Sequence, residues 1–128
     1  MGDIMDKKRV LVADDDLMWR STLREELEEL GCKVDVASNY EETRALLEQN
    51  KYALIISDNK MPPIRRAGLQ LLAFMCLEEQ GKQRTPFVVH TSDENNETIK
   101  RVEEFGGIYR NKGSDEDIHE FLKKLLDA

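Results

Sequence analysis

The chain has 128 residues, with 19 Lys and Arg against 26 Asp and Glu, a net charge of −7 and a pI near 4.9. That is the size of a single domain with one ordinary core. The acidic balance argues against direct binding to nucleic acid or to an anionic membrane, and leaves open a basic partner surface or a cation gathered among carboxylates.

Cys32 and Cys76 have no metal-ligand spacing and read as reduced thiols acting as small hydrophobes. No apolar run approaches membrane-spanning length and no signal peptide is recognisable, so a cytoplasmic domain is expected. Met1-Gly2 opens like a myristoylation signal, but Asp6 stands where that signal wants Ser or Thr. Asn96-Glu97-Thr98 is a formal glycosylation sequon without meaning in a protein that is not secreted.

Residues 1–7 read as a polar N-terminal extension, and 8–128 as the domain. Arg9-Val10-Leu11-Val12-Ala13 predicts a first buried strand that runs into Asp14, Asp15 and Asp16. A helix from about Leu17 to Leu30 follows, with Trp19, Leu23, Leu27 and Leu30 on one face, Asp16 as its N-cap and Gly31 as its stop. Lys33 to Ala37 predicts the second strand. Ser38 with Glu41 predicts a capping box opening a helix through about Glu48.

Leu54-Ile55-Ile56 suits a strand covered on both faces, ending at Ser57-Asp58 and followed by a loop that Pro62 and Pro63 stiffen. A mostly apolar helix is expected from roughly Leu69 to Glu79, with Gly81 ending it. Phe87 to His90 predicts the fourth strand, ending on Thr91-Ser92. The helix from about Asn95 to Phe105 has only a thin apolar stripe: Ile99, Val102 and Phe105. Ile108-Tyr109-Arg110 predicts a short fifth strand leading to Lys112. Ser114 with Asp117 is expected to cap a last helix whose Ile118, Phe121, Leu122, Leu125 and Leu126 recur with helical period. Strand–helix alternation of this kind implies an α/β fold, a parallel sheet with helices on both faces. Periodicity alone leaves the strand order open. A stand-alone protein and a piece of a longer one both fit the chain.

Parallel sheets place ligands beyond the carboxyl ends of their strands. Asp14, Asp15, Asp58, Thr91 and Lys112 all fall at that edge. Converging carboxylates repel unless a cation joins them, and hard oxygen ligands suit Mg²⁺. A carboxylate beside Mg²⁺, with a hydroxyl and an ammonium at hand, is arranged to accept a phosphoryl group, which makes Asp58 the candidate nucleophile. Each residue also has a plainer role. Asp58 can cap a strand, the acidic triplet can favour a helix N-terminus, Thr91 can be a β-branched strand residue and Lys112 a solvated loop lysine. His90 reads as a packing residue, not a base. What favours chemistry is that all five positions share one edge.

Val10-Leu11-Val12-Ala13-Asp14-Asp15-Asp16, Asp58 with Met61-Pro62 and Gly68, Thr91-Ser92, and Tyr109 with Lys112 together closely resemble the receiver domain of two-component response regulators, from about Lys8 to Leu126. The resemblance implies a flavodoxin-like five-stranded sheet ordered 2-1-3-4-5. It implies that Asp58 accepts a phosphoryl group from a sensor histidine kinase or a histidine phosphotransfer protein. Asp15, Asp58 and the backbone carbonyl of Lys60 would ligate Mg²⁺, with Asp14 acting through a water. Thr91 and Lys112 would hold the phosphoryl oxygens, and Thr91 and Tyr109 would switch the face read by a downstream effector or an output domain. The implied role is a signalling switch and not a metabolic enzyme, apart from its own phosphotransfer and slow dephosphorylation.

Three features depart from the family pattern. Five residues separate Pro62 from Gly68, more than is usual, and they include Arg65-Arg66. Gly113 follows Lys112 where the family has a proline after a cis bond; a cis bond before a non-proline residue costs about 2.5–4 kcal/mol, so a trans bond or a remodelled loop is expected. Lys60 and Asp93 stand where they could pair across the site and slow loss of the phosphoryl group. The competing expectation is a degenerate receiver acting as a phosphorylation-independent interaction module. A dehalogenase-type phosphatase wants a second aspartate where Lys60 stands, and a flavin phosphate cradle does not tolerate a triply acidic first loop.

Overall fold

The computed structural model describes residues 7–80 and 82–127. The myristoylation-like start, nearly all of the 1–7 extension and the Gly81 helix stop lie outside the described residues. Ten elements alternate: β1 (Arg9–Ala13), α1 (Leu17–Glu29), β2 (Lys33–Ala37), α2 (Tyr40–Gln49), β3 (Leu54–Ser57), α3 (Ala67–Glu78), β4 (Phe87–Thr91), α4 (Asn96–Glu104), β5 (Ile108–Asn111) and α5 (Ile118–Asp127). The strands form one parallel sheet in the order β2-β1-β3-β4-β5.

Side chains alternate across the strands and build two cores. Leu11, Ile55, Phe87 and Val89 point to the face covered by Leu47 of α2, Leu71 and Leu72 of α3 and Val102 of α4. Val10, Val12, Leu54, Ile56 and Val88 point to the other, against Leu23 and Leu27 of α1 and Leu122 of α5. Each fully buried leucine or valine contributes about 1.5–3 kcal/mol over leaving it in water. The central strands β1, β3 and β4 are apolar on both faces for this reason, whereas edge strand β2 carries Lys33 and Asp35.

Asp16 caps α1 as expected, accepting from the Met18 amide, and Gly31 follows the helix with φ +88°. Two caps differ from expectation. Asn39, not Ser38, opens α2: its side chain accepts from Glu42 N, while the Glu42 carboxylate accepts from both Ser38 N and Ser38 Oγ. Asp117, not Ser114, holds the start of α5, accepting from Glu120 N through its carboxylate. Ser114 serves a turn, accepting from Glu116 N.

The β3–α3 loop closes on itself. Met61 and Ile64 exchange backbone hydrogen bonds of 3.0 and 3.1 Å around Pro62-Pro63, whose peptide is cis. The Lys112–Gly113 peptide is trans, as expected. Helix α3 starts at Ala67, two residues before the predicted Leu69.

Candidate functional site

The ladder β2-β1-β3-β4-β5 brings the ends of β1, β3, β4 and β5 to one edge. Asp58 N donates to Ala13 O at 2.8 Å, one step beyond the β1–β3 register, so Asp14 and Asp58 leave the sheet side by side. Lys112 N donates to Thr91 O at 2.9 Å and does the same for β4 and β5. Asp14, Asp15 and Asp58 each offer a carboxylate oxygen within 4.8 Å of the others. All five residues expected at this edge from their chemistry are there.

Asp14 and Asp58 are 1% and 6% exposed, whereas Asp15 faces solvent. Lys112 Nζ lies 3.0 Å from Asp14 Oδ2 and 3.0 Å from Asp58 Oδ2, and donates its hydrogen bond to Asp58. At Asp14 Oδ2, a buried oxygen, the Lys112 ion pair is the one polar contact among the described residues. Burial pushes the Asp14 carboxyl up to about 6, reinforced by the Asp58 charge and opposed by the Asp16 amide and Lys112. An under-satisfied buried carboxylate flanked by two more is a donor set that fits a hard divalent cation. The carboxylates hold Lys112 in its charged form, their attraction outweighing the burial that opposes it.

Thr91 is buried at the end of β4, and its Oγ1 accepts from Asp93 N at 3.1 Å. Asp93 and Lys60 face the same cleft but do not form the expected pair. The Asp93 carboxylate is taken up by the start of α4, accepting from Asn95 N at 2.8 Å and from Thr98 Oγ1 at 2.9 Å. Tyr109 is turned inward, its hydroxyl donating to Asp93 O at 2.6 Å and accepting from Asn111 Nδ2 at 3.1 Å.

Several residues that support the site were not singled out from the sequence. Buried Asn59 supplies the cap that α3 lacks locally: its carbonyl accepts from Gly68 N and its side chain from Leu69 N, both at 3.1 Å. The missing signal was available, because no Ser, Thr, Asp or Asn stands between Met61 and Ala67 to cap that helix. Gly68 is needed for contact, since a Cβ there would meet Asp58 O at 2.7 Å and Asn59 Cα at 2.9 Å. Arg20 donates to Asp14 O at 2.9 Å. Behind Lys112, buried Arg110 donates from Nη1 to His90 Nε2 at 3.0 Å, and Trp19 meets the imidazole edge-on at 4.7 Å. His90 is therefore the packing residue expected, a neutral acceptor whose titration burial pushes down to about 3, with Arg110 and Lys112 adding to the effect.

Residues 10–125 match the family model of the response regulator receiver domain. The transcriptional regulatory protein PdtaR of Mycobacterium tuberculosis is 33% identical over 102 residues, which are 79% of this chain and 47% of PdtaR. The chain thus spans about half the length of the curated relatives it matches. The chemotaxis response regulator CheY4 of Vibrio cholerae superposes with a TM-score of 0.76 at 25% identity, covering 95% of this chain and 98% of that one. A response regulator from Burkholderia pseudomallei, solved with a phosphorylated aspartic acid, a calcium ion and citrate, superposes with a TM-score of 0.78 at 26% identity, covering 93% of this chain and 66% of that one. The family match runs from the first strand into the last helix, and the strand order agrees with it: this chain belongs to the response regulator receiver domain family of two-component signalling.

Proposed function

We propose that this domain is a Mg²⁺-dependent phosphorylation switch whose acceptor is Asp58. The observation that carries the reading is the single ammonium of Lys112 held 3.0 Å from both Asp14 and Asp58, beside a third carboxylate. Asp15, Asp58 and the Lys60 carbonyl would hold the metal, with Asp14 reaching it through a water. Bound there, the ion would neutralise charge on the transferring phosphoryl oxygens.

Asp58 Oδ attacks phosphorus, the P–N bond of a phosphohistidine breaks, and its electron pair stays with the imidazole, which takes up a proton. Lys112 pairs with the new phosphoryl group and Thr91 Oγ1 hydrogen-bonds one of its oxygens. The donor is a sensor histidine kinase or a histidine phosphotransfer protein, and a cytoplasmic location is part of the same reading. The output passes through Thr91 and Tyr109 to a downstream effector or an output domain. The phosphorylated aspartic acid and divalent ion of the Burkholderia regulator support the same chemistry here.

Intact mass after incubation with acetyl phosphate, with and without Mg²⁺, tests the reading. One phosphoryl group gained only with Mg²⁺, and lost in Asp58→Asn, is the expected result. No adduct under any condition overturns it and favours a phosphorylation-independent interaction module.

A further inference from the structure

The cleft above Asp58 is lined by charges of both signs, with Asp93 among its carboxylates. It is an open space of about 960 Å³ with the carboxylates Asp15 and Asp58 on its floor. Lys60, Arg65 and Arg66 also line it. All three are exposed, and none forms an ion pair with a carboxylate of a described residue. Three cations around one cleft, without an ion pair among the described residues, stand out on a chain of net charge −7. Nor is their placement loose. The segment carrying Arg65 and Arg66 is pinned on one side by the Met61–Ile64 bridge, with Met61 fully buried, and on the other by buried Ala67 at the start of α3.

Phosphoryl transfer to Asp58 is roughly in line, so the leaving group departs away from the carboxylate, toward the open side of the cleft. Donors differ in what departs. When an acyl phosphate reacts, Asp58 Oδ forms the new P–O bond, the bridging P–O bond breaks, and its electron pair leaves on a carboxylate anion. With phosphoramidate the P–N bond breaks and the pair leaves on an amine already protonated, released as neutral ammonia. The transition state thus carries negative charge on the leaving group in the first case only, and fixed cations nearby stabilise it, relative to free protein and donor, for that case.

We propose that Arg65 and Arg66 form a leaving-group subsite that, among small-molecule phosphoryl donors, favours acyl phosphates over phosphoramidate. The inference rests on Asp58 being the acceptor. Gln70, the exposed residue of an otherwise buried first turn of α3, also lines the cleft and can offer an amide to the departing carboxylate.

The test compares phosphorylation rates with acetyl phosphate and with phosphoramidate at saturating Mg²⁺. The proteins are the parent, Arg65→Gln/Arg66→Gln and Arg65→Lys/Arg66→Lys, all altered only at exposed positions. The glutamine pair should slow acetyl phosphate by about three- to tenfold, the scale of two partly screened charges, and change phosphoramidate by less than about twofold. The lysine pair should restore most of the loss, and added salt should narrow the gap between donors in the parent. Equal slowing with both donors, or none with either, overturns the subsite while leaving Asp58 as acceptor. A parent phosphorylated by neither donor overturns the acceptor reading and the subsite with it.

Discussion

Lys112→Met tests the electrostatics of the site most directly. Methionine keeps the length of the stem and removes the ammonium that sits 3.0 Å from both Asp14 Oδ2 and Asp58 Oδ2. Each contact is worth on the order of 5 kcal/mol of raw Coulomb attraction at an effective dielectric near 20, much of which the desolvation of lysine takes back. What remains is the cost of leaving two nearly buried carboxylates facing each other without a cation, about 3 kcal/mol in metal-free buffer. The same ammonium also opposes a divalent ion at those oxygens, so its removal should tighten Mg²⁺ binding. Tenfold tighter binding adds about 1.4 kcal/mol to the folded state at saturation. Urea unfolding should therefore show a variant less stable than the parent by about 3 kcal/mol in EDTA, with the gap narrowing by 1 kcal/mol or more in Mg²⁺. Trp19 is the chain's only tryptophan and its ring lies 5.7 Å from Lys112 Nζ, so its fluorescence can report the Mg²⁺ titration. A variant as stable as the parent in EDTA, or a deficit that Mg²⁺ leaves unchanged, would refute this account of the three charges.

Other positions should respond in distinct ways. Gly68→Ala forces a Cβ to within 2.7 Å of Asp58 O, against backbone that cannot swing aside, and should cost about 1–3 kcal/mol in urea unfolding while slowing phosphorylation of Asp58. Asn59→Ala removes the buried cap of Leu69 N and should cost about 1–2 kcal/mol, read in the same assay, with local amide exchange at the first turn of α3 accelerating. His90→Gln keeps an acceptor for Arg110 and removes a titration. The folded pKa of His90, about 3, lies below the unfolded value of 6.5, so the unfolded chain binds the extra proton and stability is lost as pH falls through that window. Between pH 6.5 and about pH 4.5 the parent should lose about 2–3 kcal/mol more than the variant, and parallel stability–pH curves would refute the neutral, buried imidazole.

The central strands were legible because they are apolar on both faces and stop abruptly, and edge strand β2 because Val34 and Val36 alternate with Lys33 and Asp35: Arg9–Ala13 and Lys33–Ala37 come out with the predicted bounds. The site was legible because a parallel sheet sends consecutive strand ends to the same edge, so Asp14, Asp58, Thr91 and Lys112 needed only their positions after each strand. Strand order did not follow from periodicity and came from family resemblance. The two displaced caps have a local cause. Ser38–Glu41 and Asn39–Glu42 both satisfy the capping spacing, and the phase is set by which residues α2 must bury, Thr43 and Leu47. Arg110 and His90 meet only through strand pairing, and Asn59 reaches α3 across the folded loop. Such pairings are invisible to any window of sequence, although a helix start without a capping residue signals that one must come from elsewhere.

Losing the Lys60–Asp93 pair changes what Asp93 is for. Its amide donates to Thr91 Oγ1, its carboxylate holds Asn95 N and Thr98 Oγ1 at the start of α4, and its carbonyl accepts from the Tyr109 hydroxyl. One residue therefore joins the hydroxyl proposed to bind the phosphoryl group to the first turn of one helix and to the inward tyrosine of β5. If Thr91 Oγ1 turns to a phosphoryl oxygen on Asp58, the Asp93 amide loses its acceptor and this segment must re-form elsewhere. Helix α4 resists such a shift weakly, because Thr98 and Val102 are its only fully buried residues. On the proposed reading, the thin apolar stripe of that helix and the three-way role of Asp93 belong to one device: a local charge change releases a hydrogen bond, and the element least anchored to the core moves in response.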